Sequence, residues 1–156
     1  MKRIISILAL IIIAVVIWYL YTNSDLFIRE NATNNSNNTM TEDYITTNSG
    51  LKYKIINETA QGARPSGPTS QVEVHYEGRL TDGTIFDSSR ARGEAITFGL
   101  NQVIAGWSEG VQLMSEGDTY EFYIPANLGY GAKGVPGVIP PNADLIFEVE
   151  LIKVLN

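Results

Sequence analysis

Two short patterns in this 156-residue chain match motifs of catalytic sites. Residues 129–134 read GYGAKG and match the G-x-G-x-x-G fingerprint, in which a helix N-terminus holds the pyrophosphate of a dinucleotide. Residues 106–110 read GWSEG and match the G-x-S-x-G nucleophile elbow of serine hydrolases. The single histidine, His75, also precedes Asp87 and Ser108 in the chain order of chymotrypsin-like proteases. Cofactor binding and acyl transfer are therefore the first chemistries to test.

Neither pattern has the surroundings that its chemistry requires. Three prolines lie within residues 136–141, and proline breaks a helix interior, so no pyrophosphate-binding helix is expected after the glycine pattern. In the fold that uses the nucleophile elbow, the histidine follows the serine, whereas His75 precedes Ser108. His75 also stands between two glutamates on the polar side of an alternating segment. This position favours a surface or hydrogen-bonded structural histidine over a catalytic base.

The composition excludes further classes of site. The chain has no cysteine, which excludes disulfides, thiol nucleophiles and cysteine-ligated metal clusters, and its single histidine excludes a histidine-rich metal site. Seventeen acidic against eleven basic residues give a net charge of −6, which argues against a nucleic-acid-binding surface. We therefore expect no metal, no cofactor and no nucleic-acid partner.

Aromatic residues, glycines and prolines are concentrated in the second half of the chain. Residues 74–89 contain the runs VHYEG, DG and FDSS, residues 103–107 read VIAGW, and residues 130–147 contain YG and GVPGVIPP and end in Phe147. In this order and at this spacing the motifs resemble those of the FKBP-type peptidyl-prolyl cis-trans isomerases, over essentially all of residues 49–156. The layout of membrane segment, polar linker and C-terminal domain is similar to that of bacterial envelope members of the family.

The resemblance implies a hydrophobic pocket for proline-containing polypeptides and for macrolide inhibitors of the FKBP type. Trp107 would form the base of the pocket, Arg92 would pair with Asp87, and residues 134–141 would overhang the opening. The catalytic group implied in this way is Tyr76, Asp87, Ile104 (through its backbone N–H) and Tyr130. The full set of implied substrate-binding residues is Tyr76, Phe86, Asp87, Arg92, Val103, Ile104, Trp107, Tyr130, Val138, Ile139 and Phe147.

Two residues depart from the commonest pattern of that family, and both bear on substrate preference. Ile96 stands where an aromatic pocket residue is frequent, so one wall of the pocket is expected to be less aromatic. Val135 stands at a loop position that often carries a larger side chain, so a contact at the rim is expected to change.

The implied activity is faster rotation about X–Pro bonds during the folding of extracytoplasmic proteins. The barrier to this rotation is about 18–20 kcal/mol and arises from amide resonance. Because no bond to carbon has to form, the absence of an activated nucleophile does not argue against the reaction. The alternative is a binding module that holds proline-containing or apolar segments as a chaperone, without catalysis.

Alternating side chains predict the elements that would carry these residues. Residues 52–56, 72–77, 120–124 and 145–152 are typical of β-strands, because apolar or β-branched residues recur with a period of two or dominate the run. Trp107, Val111 and Met114 are spaced i, i+4, i+7 and predict one short helix. The fold class is therefore α+β, with an antiparallel sheet and the helix on one face. The resemblance adds that the sheet is twisted and wraps around the helix.

The first 21 residues predict a single transmembrane helix. Residues 4–20 are apolar except for Ser6, and Lys2 and Arg3 precede them. A basic flank stays in the cytoplasm, so we expect an uncleaved signal anchor in the inner membrane with the C-terminal domain on the periplasmic or other extracytoplasmic side. The alternative is a signal peptide cleaved near Asn23, which would release the protein into the periplasm.

Residues 22–48 are predicted to be a flexible linker. The segment is rich in asparagine, serine and threonine and has few apolar side chains, so it cannot bury enough surface to offset the entropy of ordering. It contains no pattern of a dimerisation helix, so a monomer is expected. The predicted organisation is a membrane segment over residues 1–21, this linker, and one folded domain over residues 49–156.

Overall fold

The computed structural model describes residues 44–59 and 61–155 of the chain, and in these ranges seven strands form one antiparallel sheet. The strands are β1 (Ile45–Thr46), β2 (Lys52–Asn57), β3 (Gln71–Leu80), β4 (Ile85–Ser88), β5 (Ile96–Gly99), β6 (Thr119–Ile124) and β7 (Leu145–Leu155). Their spatial order is β1-β2-β6-β7-β3-β4, and β5 also pairs with β3. The same ranges contain two α-helices, α1 (Ser89–Arg92) and α2 (Ala105–Gly110).

Strands β3 and β7 form the centre of the sheet and confirm the predicted alternation. Buried and partly exposed residues alternate along both strands, because successive side chains of a strand point to opposite faces. The register places Tyr76 opposite Val149 and Gly78 opposite Phe147. The apolar face of both strands therefore points into one hydrophobic core.

Helix α2 packs on that apolar face and confirms the short helix predicted from residue spacing. A single 3₁₀ turn, Val111–Leu113, extends it, and Met114 lies just past its end. A Cβ atom on Gly106 would lie 2.6 Å from the side chain of Ile124 on β6. The helix can approach the sheet this closely because the contact residue has no side chain.

Strand β1 lies within the segment that the sequence predicts to be a linker. Ile45 and Thr46 pair with β2, and the Tyr44 hydroxyl donates a hydrogen bond to Glu121 on β6. Fixed structure therefore begins before the predicted boundary at Ser49. A strand of two residues at the end of a polar tract is too short to show a period of two, so the sequence pattern did not separate it from the linker.

The predicted membrane segment over residues 1–21 and the predicted linker up to residue 43 lie outside the described residues. Within the ranges that the structure describes, no helix is both long enough and apolar enough to cross a lipid bilayer.

Candidate active site

An open, mostly apolar cavity of about 660 Å³ lies among α2, the inner face of the sheet and two loops. A volume of this size is typical of a small-ligand site. The cavity is lined by Tyr76, Phe86, Asp87, Ile96, Phe98, Gln102, Val103, Ile104, Trp107, Tyr130, Val135, Val138, Ile139 and Phe147.

Trp107 forms the floor of the cavity and is held by aromatic neighbours. Its side chain comes from the first turn of α2 and is only 5% exposed. The rings of Tyr76, Phe98 and Phe147 contact it edge-on, with centroid distances of 5.3, 5.4 and 5.2 Å. Edge-to-face contacts between rings are favourable and directional. The floor is therefore an aromatic surface whose position is fixed by three neighbouring rings.

Gly78 makes room for one aromatic wall. Phe86 from β4 and Phe147 from β7 meet edge-on across this position, with a centroid distance of 5.5 Å. A Cβ atom at Gly78 would lie 2.6 Å from the Phe147 ring and 2.8 Å from the Phe86 ring. The shape of this wall therefore depends on the absence of a side chain in the middle of β3.

The main polar group of the cavity is a cluster of three side chains, which we name the pocket cluster: Tyr76, Asp87 and Arg92. The Tyr76 hydroxyl donates a hydrogen bond to one carboxylate oxygen of Asp87, and Arg92 donates to the other oxygen. The second guanidinium nitrogen of Arg92 lies 3.1 Å from the Tyr76 hydroxyl oxygen, to which it donates. Both carboxylate oxygens are thus engaged, and the Tyr76 hydroxyl is fixed in direction.

The electrostatics of the pocket cluster keep Tyr76 protonated and Asp87 charged. Burial raises the pKa of the Tyr76 hydroxyl, and its hydrogen bond to Asp87 raises that pKa further. Burial by itself would raise the pKa of Asp87, but the hydrogen bonds from Tyr76 and Arg92 outweigh it and hold that pKa below its usual range. The cluster therefore presents a fixed dipole to the cavity and is poorly suited to carry protons.

Helix α1 positions the cationic member of the pocket cluster. The Ser88 side chain accepts a hydrogen bond from the Ala91 N–H and caps the start of the helix, and Gly93 ends it in a left-handed conformation with φ 75°. These two caps confine α1 to a single turn. Arg92 is the last residue of that turn, and its guanidinium contacts Asp87 on β4.

Ile104 brings a backbone group to the cavity at the start of α2. Its carbonyl oxygen accepts the first helical hydrogen bonds, from the N–H groups of Trp107 at 3.0 Å and Ser108 at 3.1 Å. The Ile104 N–H donates to none of the backbone acceptors in the turns and caps that the structure describes. Ile104 also lines the cavity, and the contact of its N–H with a ligand stays a prediction.

A loop over residues 134–141 forms part of the rim of the cavity. Val135 and Ile139 pair with each other in an isolated bridge, which closes the loop into a small hairpin. Gly134 begins it at φ 55° and ψ −155°, where a Cβ atom would lie 2.3 Å from the Ile139 carbonyl oxygen. Val138 and Tyr130 are both exposed at this rim. The rim therefore offers an apolar contact and a phenol hydroxyl to an incoming ligand.

The structure brings together all the predicted site residues. Each of them lines the cavity except Arg92, which lies at its edge in contact with Tyr76 and Asp87. The two departures, Ile96 and Val135, line the cavity as well. The individual roles of the side chains stay predictions.

Sequence reasoning missed two lining residues, Phe98 and Gln102. Phe98 had a usable signal, because it lies two residues after Ile96 on β5 and therefore shares its face of the strand. Gln102 had no such signal: its side chain accepts a hydrogen bond from the Gly99 N–H at 3.2 Å and is oriented by that local contact.

The two rejected catalytic motifs are not assembled in the structure. The Ser108 hydroxyl donates to the Leu100 carbonyl, and the His75 ring hydrogen-bonds to Ser89 through Nδ1 at 3.1 Å, so these side chains do not form a charge-relay pair. The glycine pattern of residues 129–134 contains only a single 3₁₀ turn, Gly131–Lys133. Both observations agree with the sequence analysis.

Comparison with known proteins gives consistent results for this part of the chain. A family model described as FKBP-type peptidyl-prolyl cis-trans isomerase matches residues 62–152. The chain is 53% identical over 109 residues to the probable FKBP-type peptidyl-prolyl cis-trans isomerase FkpA of Neisseria meningitidis serogroup B, in a match covering 70% of this chain and 39% of that protein. It is 50% identical over 106 residues to the outer membrane protein MIP of Legionella longbeachae, covering 68% of this chain and 45% of that protein.

A shorter relative is matched almost completely. The chain is 52% identical over 105 residues to FK506-binding protein 1 of Dictyostelium discoideum, covering 66% of this chain and 96% of that protein. Among solved structures, the crystal structure of FkpA from Escherichia coli superimposes with a TM-score of 0.68 at 41% identity, covering 74% of this chain and 53% of that chain. The chain thus spans less than half the length of the Neisseria and Legionella relatives.

Proposed function

The chain belongs to the FKBP-type peptidyl-prolyl cis-trans isomerases, and on that premise we propose that it accelerates the cis-trans isomerisation of X–Pro bonds in polypeptides. The observation that carries the proposal is the aromatic cavity above Trp107, bordered by the pocket cluster and lined by Ile104 at the start of α2. A proline ring is compact and apolar, and fits a cavity of this kind. The polar groups at its edge can hold the amide on either side of the ring.

The apolar aromatic walls favour the transition state of the rotation. A planar X–Pro amide is polarised by resonance, and twisting it about the C–N bond removes that polarisation. The twisted amide therefore loses less solvation free energy than the planar amide when it moves from water into an apolar cavity. A rate increase of about 10⁵ requires the barrier to fall by only about 7 kcal/mol.

Positioning of the substrate accounts for the rest of the proposed rate increase. Trp107 supports the proline ring from below, while the Ile104 N–H and the Tyr130 hydroxyl donate hydrogen bonds to substrate carbonyl groups. Holding the chain on both sides of the bond leaves rotation about C–N as the main remaining freedom. Asp87 orients Tyr76 and sets the local field, since the reaction requires no net proton transfer.

A protease-coupled assay on X–Pro peptides tests the proposal with the full chain. We expect faster isomerisation than the uncatalysed background, and suppression of that rate by an FK506-type macrolide that occupies the same cavity. No acceleration over background at micromolar chain concentrations would contradict the proposal. Macrolide binding without acceleration would instead support the alternative, a non-catalytic binding module.

We also propose that the protein works on the extracytoplasmic side of a membrane. The support is the apolar segment over residues 4–20 behind two basic residues, together with a Legionella relative named as an outer membrane protein. An inner-membrane signal anchor predicts that the protein fractionates with membranes and keeps its N-terminal residues. A mature N-terminus near Asn23 in a soluble fraction would replace the anchor with a cleaved signal peptide.

A further inference from the structure

Ser89 has a fully buried hydroxyl directly behind the pocket cluster, and the mechanism above does not use it. Its side chain is 0% exposed, and its Oγ accepts a hydrogen bond from the Tyr76 N–H at 2.8 Å. The same hydroxyl lies 3.3 Å from the Tyr76 carbonyl oxygen, to which it donates. A third contact joins it to His75 Nδ1 at 3.1 Å. One hydroxyl thus engages both backbone polar groups of Tyr76.

The strand pairing explains why a side chain is needed at this point. Along one edge of β3, strand β5 pairs with residues up to Val74, and strand β4 pairs with residues from Glu77 onwards. His75 and Tyr76 lie in the gap between these two partners. Buried backbone groups without partners are costly, and the Ser89 hydroxyl satisfies those of Tyr76. Ser89 therefore provides the hydrogen bonds to the Tyr76 backbone that a neighbouring strand would otherwise provide.

Tyr76 is contacted by residues at both ends of helix α1. Ser89, at the start of the helix, binds the Tyr76 backbone, and Arg92, one turn later, contacts its hydroxyl and Asp87. Any shift of the tyrosine backbone against the helix would change the distance from its hydroxyl to these two charged groups. The orientation of the phenol therefore depends on the Ser89 contact as well as on the pocket cluster.

We propose that Ser89 is a positioning residue for isomerisation, which acts by fixing the Tyr76 backbone so that its ring and hydroxyl keep their place in the cavity wall. The inference rests on the proposed isomerase function. It adds a buried residue that does not line the cavity to those on which the rate depends.

The adjacent serine provides a matched control. Ser88 caps α1 through a hydrogen bond from the Ala91 N–H at 3.2 Å, so Ser88→Ala weakens the same helix without removing a contact to the Tyr76 backbone. In the full chain we expect Ser89→Ala to lower kcat on the order of tenfold, with a much smaller change in KM, as slight misplacement of a positioned group does. Ser88→Ala should lower the melting temperature but keep kcat within about twofold.

Nuclear magnetic resonance gives a readout that does not depend on activity. Ser89→Ala should shift the Tyr76 amide, the Arg92 guanidinium and the His75 ring-nitrogen signals, whereas Ser88→Ala should leave the Tyr76 and His75 signals in place. These shifts are measurable even if the wild-type chain has no isomerase activity, so failure of the proposed function can be told apart from failure of this inference.

The inference is overturned if Ser89→Ala keeps wild-type kcat, or if both serine variants lose activity equally. If Ser89→Ala does not fold, Ser89→Cys answers the same question, because cysteine has the same side-chain shape, is only slightly larger, and is a weak hydrogen-bonding partner. A folded Ser89→Cys chain with reduced kcat supports the proposal, and one with wild-type kcat contradicts it. Failure of both variants to fold would show that the hydroxyl is purely structural.

Discussion

Two clusters with the same chemistry lie on opposite faces of the sheet. In the pocket cluster, Tyr76 and Arg92 each donate to one oxygen of Asp87. On the other face, Tyr44 and Arg79 each donate to one oxygen of Glu121, with Arg79 Nη2 at 2.5 Å. We name Tyr44, Arg79 and Glu121 the outer cluster. Both clusters raise the pKa of the tyrosine and lower that of the carboxyl group.

The surroundings of the two clusters differ more than their hydrogen bonds. The Asp87 and Arg92 side chains are 41% and 48% exposed, whereas Glu121 and Arg79 are 16% and 28% exposed. Asp87 also borders the large cavity, and Glu121 does not line it. An enclosed ion pair that joins strands serves stability, while the same pair beside a cavity can act on a ligand. The two clusters therefore differ in solvent exposure and in the presence of a neighbouring cavity, and not in their hydrogen-bond pattern.

Replacing the carboxylate of the pocket cluster should give the largest effect. Asp87→Leu removes the acceptor that orients the Tyr76 hydroxyl, so we expect isomerase kcat/KM to fall by about tenfold to hundredfold. Stability should change little, because Arg92 can be solvated. The protease-coupled assay and thermal unfolding measure the two effects. Wild-type activity in this variant would place Asp87 outside the machinery.

Replacing the carboxylate of the outer cluster should reduce stability and leave activity nearly unchanged. Glu121→Leu leaves the Arg79 guanidinium and the Tyr44 hydroxyl without their partner, so we expect a loss of about 1–2 kcal/mol of unfolding free energy. Because Glu121 does not line the cavity, kcat/KM should stay within about twofold. Chemical denaturation and the isomerase assay at the same temperature check both statements. A large loss of activity would mean that the two faces are coupled.

Removing only the two tyrosine hydroxyls should have smaller effects on activity and stability, in the same directions. Tyr76→Phe is expected to reduce kcat/KM by a few-fold, and Tyr44→Phe to reduce stability by about 1 kcal/mol with unchanged activity. Each phenylalanine retains the ring, so aromatic packing is the same in both members of the pair. Similar activity losses in the two variants would remove the distinction between the clusters.

Lowering the pH should have the smallest effect on stability among these changes, and the effect should be larger for the outer cluster than for the pocket cluster. Burial by itself would raise the pKa of Glu121, but the hydrogen bonds from Tyr44 and Arg79 outweigh it, so its pKa in the folded chain lies below the ordinary value of 4.5. A carboxyl group of this kind stabilises the fold above its ordinary pKa, and the contribution is lost as the pH falls through the folded-state pKa.

Thermal unfolding at about pH 5 and about pH 3 measures this loss. Glu121→Gln should lose less stability between the two values than the wild-type chain. Asp87→Asn should show the same trend more weakly, because Asp87 is more exposed to solvent. An identical acid dependence of the wild-type and Glu121→Gln chains would contradict the prediction.

Local patterns were sufficient to predict the main elements of the fold. The alternation in β3, β6 and β7 and the spacing of Trp107, Val111 and Met114 identified the sheet and its helix, because these elements bury one continuous face. The short elements β1, β4, β5 and α1 had no comparable signal. They span two to four residues each; the strands are fixed by pairing with other strands, and α1 by its two caps together with its contacts to Tyr76.

The candidate site was predictable only through motifs that occur together. Taken singly, Trp107 or Phe147 could equally be an ordinary core residue. The outer cluster could not be predicted, because Tyr44 and Glu121 are 77 positions apart and nothing local indicates their pairing. The role proposed for Ser89 likewise depends on the gap between β4 and β5, which exists only in the assembled sheet.

The outer cluster also determines how the domain would respond to mechanical load. Tyr44 precedes the two-residue strand β1, so tension applied to the chain from its N-terminal side reaches the hydroxyl–carboxylate contact before it can peel β1 from β2. Glu121 on β6 passes that force to Arg79 on β3, across the intervening strand β7. Strands β6 and β3 are thereby linked by side chains as well as through β7, and β3 and β7 also carry the Tyr76 and Phe147 walls of the cavity.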